Sequence, residues 1–147
     1  QGGRKGAFHY DLASLLLDAK ANLPFAFRDH LKEVYLTAAA ALTDIDSARF
    51  DAFFRGFSLI RILQAMGAYG FRGFYERKTH FLQSVPYAIR NLEHLLQQGD
   101  LPVPLPALNA ALQQIVRSTR LREIAPAPLT LSLGITSFSY KHGYPQD

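Results

Sequence analysis

Between residues 50 and 66 the chain reads FDAFFRGFSLIRILQAM. On a helix, Phe50, Phe53, Phe54, Phe57, Leu59, Ile60, Ile62, Leu63 and Met66 cover nearly the whole circumference. A helix apolar on every side belongs in the centre of a domain, with other elements packed around it. Asp44 or Asp46 stands where it can cap the start. Glycines at 67, 70 and 73 loosen the far end, so a kink or break is expected around AYGFRGF.

The flanking sequence supplies the helices to surround it. In YDLASLLLDA, residues 10–19, Asp11 falls in the first turn, where a carboxylate favours the free amides and the positive end of the dipole. Leu12, Leu15, Leu16 and Ala19 form its apolar face. A second helix has Asn22 as its N-cap candidate and Pro24 near its first turn. The spacing of Phe27, Leu31, Val34, Tyr35, Ala38 and Leu42 directs those residues inward and sends Arg28, Asp29, Lys32 and Glu33 towards water. After the glycines a short helix can run through FYERKTHFL. Ser84 and Pro86 open another, with Val85, Ile89, Leu92 and Leu96 on one side and Gly99 as its stop.

DLPVPLP is an extended linker, because each proline disfavours helix in the residue before it. Pro106 can then begin a last helix with Leu108, Leu112, Ile115 and Val116 inward. Pro126 and Pro128 mark a boundary, and LTLSLGITSFSY beyond it reads as a strand. The expected fold is mainly α with a short C-terminal β-strand, divided into a helical part at 1–124 and a linker with strand at 125–147. No internal repeat or low-complexity tract is visible.

A chain of 147 residues, 48% hydrophobic, can bury a sizeable core. Charges or glycines interrupt every apolar run before the roughly 18 residues needed to span a bilayer, and the N-terminus has no signal-peptide pattern. The absence of cysteine removes disulfides and thiolate metal sites, and a cytoplasmic setting is expected. The net charge of +4 is spread along the chain, as on a solvated surface, rather than gathered into a nucleic-acid patch. The chain opens at Gln1 and closes at Asp147 after HGYPQD, and is expected to be an excerpt of a longer protein.

Motifs for several chemistries are missing. GGRKG places Gly3 and Gly6 too close together for a phosphate-binding Walker loop, and Ala7 follows where Lys-Ser/Thr is required. His9, His30, His80, His94 and His142 form no HxxxH or HExxH pair, and no Gly-x-Ser-x-Gly elbow occurs. Arg61 and Gln64 do stand out. They share a face of the most apolar helix, so Arg61 either pairs with an internal carboxylate or lines a cavity with Gln64.

YDLASLL, read with the preceding QGG, resembles the aminoglycoside phosphotransferase and choline kinase-like family, in which a metal-binding Asp and a Gln-Gly loop precede a Tyr-Asp-Leu-Ala-Ser helix. The run FFRGFSLIRILQAMGAYGFRGFYERKTHFLQSVPYAIRNLEHLL is similar to the helical C-terminal part of N-acetylmuramate/N-acetylglucosamine kinases. The resemblance covers about residues 1–100. It implies the helical C-terminal subdomain of a protein-kinase-like fold and an ATP-dependent sugar or amino-sugar kinase using Mg²⁺. The metal-binding Asp and the catalytic loop would lie upstream of Gln1, so that no catalytic residue or metal ligand falls in this fragment, which alone would be inactive.

On the same resemblance Asp11 holds the catalytic-loop backbone, and Arg61, Gln64, Tyr69 and Arg72 form a wall of the acceptor cleft. ITSFSYKHGYPQD resembles the opening of the C-terminal domain of the RNase adapter RapZ. The implied partners are a sugar substrate, the upstream kinase lobe and a RapZ-like domain of the same chain, through which alone nucleic acid could enter. The competing expectation is a non-catalytic helical interaction module or RNA-associated adapter.

Overall fold

The structure is a computed structural model that describes residues 6–124. Every regular element among them is helical. In order they are α1 (Phe8–Leu16), α2 (Phe25–Ala40), α3 (Ser47–Gly70), a π-helical turn (Phe71–Tyr75), a 3-10 helix (Thr79–Ser84), α4 (Val85–Gln97), α5 (Pro106–Arg117) and the single turn α6 (Thr119–Arg122). The expected strand and the boundary at 125 lie outside the described residues.

α3 takes the central position. One side of it meets α4 and α5, where Leu59, Ile62, Leu92, Leu95, Leu112 and Val116 close a buried cluster. Its N-terminal half meets α1, where Leu12, Leu16 and Phe50 form a second cluster with α2 residues leaning on it. Aromatic stacking thickens this junction: the His9 ring lies 4.4 Å from Phe50 and 5.5 Å from Phe57. Burying each leucine or isoleucine of these clusters contributes roughly 1.5–3 kcal/mol.

The element ends follow local chemistry. Asp46 is the cap of α3, accepting the Arg49 amide at 3.0 Å. Pro86 and Pro106 stand in the first turns of α4 and α5, and Gly99 takes φ 120° just past α4. The break at AYGFRGF is a widened turn rather than a gap, since α3 runs directly into the π-helical turn. FYERKTHFL is accordingly divided between that turn and the 3-10 helix instead of forming one α-helix. Ser84 occupies the cap position of α4 without a side-chain cap bond.

Two further stretches differ from the sequence reading. α1 is displaced two residues upstream, to Phe8–Leu16, with Ala19 buried in the turn that follows. α2 begins after Pro24 rather than Asn22. Asn22 instead adopts a left-handed φ of 45°, which Asn tolerates better than most residues, and its side chain accepts a bond from Arg90.

The larger difference is the rotation of α2. Phe27, Val34 and Leu42 face outward, while Arg28 is its one buried residue, 6% exposed. Two interleaved stripes share Leu31 and Tyr35, one continuing through 27, 34, 38 and 42, the other through 28, 32, 36 and 39. The second stripe faces the core because Arg28 and Lys32 find partners there.

Candidate functional site

Of the residues singled out by sequence, Asp11, Arg61, Gln64 and Tyr69 lie on α1 and α3. Tyr10 in the first turns of α1 donates its hydroxyl to Gln64 Oε1 at 2.8 Å, tying the two helices together. Arg61, one turn before, is half-buried, and no carboxylate lies within ion-pair range of it among the described residues. Tyr69 is also half-buried. Burial pushes its hydroxyl above the ordinary tyrosine range, Asp18 adds to the shift and Arg61 opposes it, so the three share one electrostatic neighbourhood.

Arg72 stands apart on the π-helical turn, exposed, its guanidinium 5.0 Å over the Phe81 ring. Asp11 is exposed in the first turn of α1 and forms no side-chain hydrogen bond or ion pair among the described residues. Its charge reaches Tyr35, whose hydroxyl is raised first by burial and then by Asp11. The structure therefore groups Gln64, Arg61 and Tyr69 along α3, and no hydrogen bond or ion pair joins Asp11 or Arg72 to them among the described residues.

A more enclosed site lies between α2, α3 and α4, a cavity of about 310 Å³. Arg28 is its buried cation. The Nε donates to Leu23 O at 2.8 Å, and Nη1 donates to Asn91 Oδ1 at 2.8 Å. Asn91 in turn donates from Nδ2 to Leu17 O at 3.3 Å, so that one arginine and one asparagine satisfy two carbonyls of the α1–α2 connection. Burial lowers the Arg28 pKa, as does the neighbouring Arg90, while Asp29 opposes them. No carboxylate pairs with Arg28 directly among the described residues.

Phe25 forms a wall of this cavity. His94 stacks on it with ring centroids 3.7 Å apart, and the Arg28 guanidinium sits 4.8 Å from its centroid. His94 Nε2 lies 2.9 Å from the Gln98 side-chain amide, within hydrogen-bond distance. Burial lowers the His94 pKa, with Arg28 acting in the same direction and Asp29 against it. At the rim Lys32 and Asp51 pair at 2.8 Å.

Sequence reasoning missed Arg28, Asn91 and His94. Periodicity reads as the apolar stripe through Phe27, Val34 and Ala38, which sends Arg28 and Lys32 towards water. The partners that make the other stripe favourable are 63 residues away for Arg28 and 19 for Lys32. Among the described residues no three His, Cys, Asp or Glu side chains gather in one place. No described helix is long and apolar enough to cross a membrane. Comparison with protein-family models, curated proteins and solved structures finds no match to this chain.

Proposed function

We propose that this chain is the helical part of an ATP-dependent phosphotransferase acting on a sugar or amino-sugar hydroxyl. The observation that carries the reading is Asp11: a first-turn carboxylate within YDLAS, exposed and with no partner among the described residues. A carboxylate so placed can accept backbone N–H groups of a neighbouring segment through charge-assisted bonds. ATP and Mg²⁺ would be held by residues outside this chain and would supply the phosphoryl group and its charge neutralisation.

The chain's own residues orient and support. Asp11 braces the reactive segment against α1. Along α3, Arg61 and Gln64 offer donors and an amide to acceptor hydroxyls, with Tyr69 deeper beside them. Arg72, stacked on Phe81, serves the wall only if the acceptor extends to the π-helical turn. The 125–147 segment joins this part to a RapZ-like domain, and the whole acts in the cytoplasm.

A second reading, a helical interaction module, is favoured by the exposed aromatics Phe71, Phe74 and Tyr75 on the π-helical turn. One assay separates the two: ATP consumption by the longer protein against a panel of amino sugars. Turnover with one acceptor supports the transferase. The absence of turnover with every acceptor contradicts it and leaves the interaction module.

A further inference from the structure

Arg28 is a buried residue whose guanidinium borders a cavity with both polar and apolar walls. A guanidinium has five N–H donors, and the described residues accept from Nε and Nη1 only. Nearby Arg90 disfavours its charge, and Asp29 favours it without coming within ion-pair range. The Arg28 Nη2 makes no hydrogen bond among the described residues and is open to solvent, a donor left for an incoming acceptor. The guanidinium lines a cavity of about 310 Å³, within the size range of small-molecule sites.

A second guanidinium borders the same cavity. Arg55 comes from α3, and its Nε is buried with no acceptor among the described residues. The nearby carboxylates do not cancel the two arginines. Asp51 is engaged by Lys32 at 2.8 Å, which leaves Asp29 as the one lining carboxylate outside an ion pair among the described residues. The remaining walls include the apolar faces of Phe54 and Leu95.

We propose that the cavity between α2, α3 and α4 binds a compact hydroxylated oxyanion, its phosphate or carboxylate group held by Arg28 and Arg55 and its hydroxyl donating to Asp29. Arginine suits this task because its planar fork matches oxyanion geometry and it stays charged when buried. The ligand adds negative charge where one carboxylate outside an ion pair, Asp29, faces two arginines. None of Asp11, Arg61, Gln64, Tyr69 and Arg72 lines this cavity, so the inference stands without the phosphotransferase reading.

The test is an NMR titration of the 147-residue chain at constant ionic strength with inorganic phosphate, glycerol 3-phosphate, glycerate and, as ionic control, chloride. The expected result is saturable binding of at least one oxyanion, with shifts centred on the Arg28 and Arg55 Nε–H signals and the Asn91 side-chain amide. Preference for the two phosphates over glycerate assigns a phosphoryl ligand, and the reverse assigns a carboxylate. Arg55→Gln, which removes no hydrogen bond found among the described residues, should weaken binding at least fivefold with helicity retained. Asp29→Asn should tighten inorganic phosphate several-fold. Linear shifts with every oxyanion, or saturable binding untouched by both variants, overturn the proposal and leave Arg28 as a brace for the α1–α2 connection.

Discussion

Arg28 spans Leu23 O and Asn91 Oδ1, and both acceptors lose their donor when the guanidinium is removed. Arg28→Met should therefore cost about 1–3 kcal/mol, read as a lower urea midpoint. Asn91→Leu added to it should cost less than the two single changes together, because removing both partners leaves fewer stranded polar atoms. Full additivity would show that the bond contributes nothing. The histidines give a pH signature. Burial lowers the folded pKa of His9 and, with Arg28, that of His94 below the ordinary 6.5.

The unfolded chain then binds protons first, so stability should fall as pH drops through 6.5 towards the lower folded values and stay level above it. Melting temperatures between pH 5 and 8 check this, and a rise on acidification would contradict it. At this scale the sequence was hardest to read. Arg28 and Lys32 look like surface residues until Asn91 and Asp51 are known to face them. Asp46 was legible as a cap candidate because its acceptor role is local.

Around the end of α3, space decides what each glycine does. Gly73 is buried in the π-helical turn, where an added Cβ would come within 2.6 Å of Leu82 Cγ. Gly67 and Gly70 have open space around the same position and ordinary helical surroundings. Gly73→Ala should destabilise by about 1–3 kcal/mol through overpacking, with partial recovery when Leu82→Ala is added. Gly67→Ala and Gly70→Ala should instead stabilise by roughly 0.5–1 kcal/mol each. Thermal melts of the set provide the comparison, and equal effects at the three positions would rule out the close approach. Sequence marked this region as a break because glycine disfavours helix. It could not show that α3 continues as a wider turn, since that depends on the 3-10 helix packed against Gly73. α4 and α5 were the most legible elements, each opened by a proline and carrying one strong apolar stripe.

For the whole molecule, stability is concentrated along α3, α4 and α5, whose leucines and isoleucines close the main core. α2 contributes an arginine as its one buried residue, and Leu42 just beyond it is 88% exposed. Hydrogen exchange should therefore find α2 the least protected of the long helices, with α3 and α4 opening only near the global unfolding free energy. Uniform protection would contradict this gradient. Phe8 and Leu15 on α1 are exposed as well, an apolar surface that favours association, so modest solubility is expected of the isolated chain.

The central place of α3 was readable from composition and period, but its enclosure is partial, because Phe53 and Ile60 remain exposed. The rotation of α2, and with it the cavity, was not readable, because it depends on polar contacts between segments distant in sequence. The functional account rests on Asp11 bracing a neighbouring reactive segment, and Asp11→Asn measures that most directly. In this chain the change should move stability by less than about 1 kcal/mol, since Asp11 makes no bond among the described residues. In the longer phosphotransferase that we propose, it should lower kcat by about a hundredfold with KM for ATP little changed, the consequence of a misplaced reacting segment. Wild-type turnover in that variant would contradict the account.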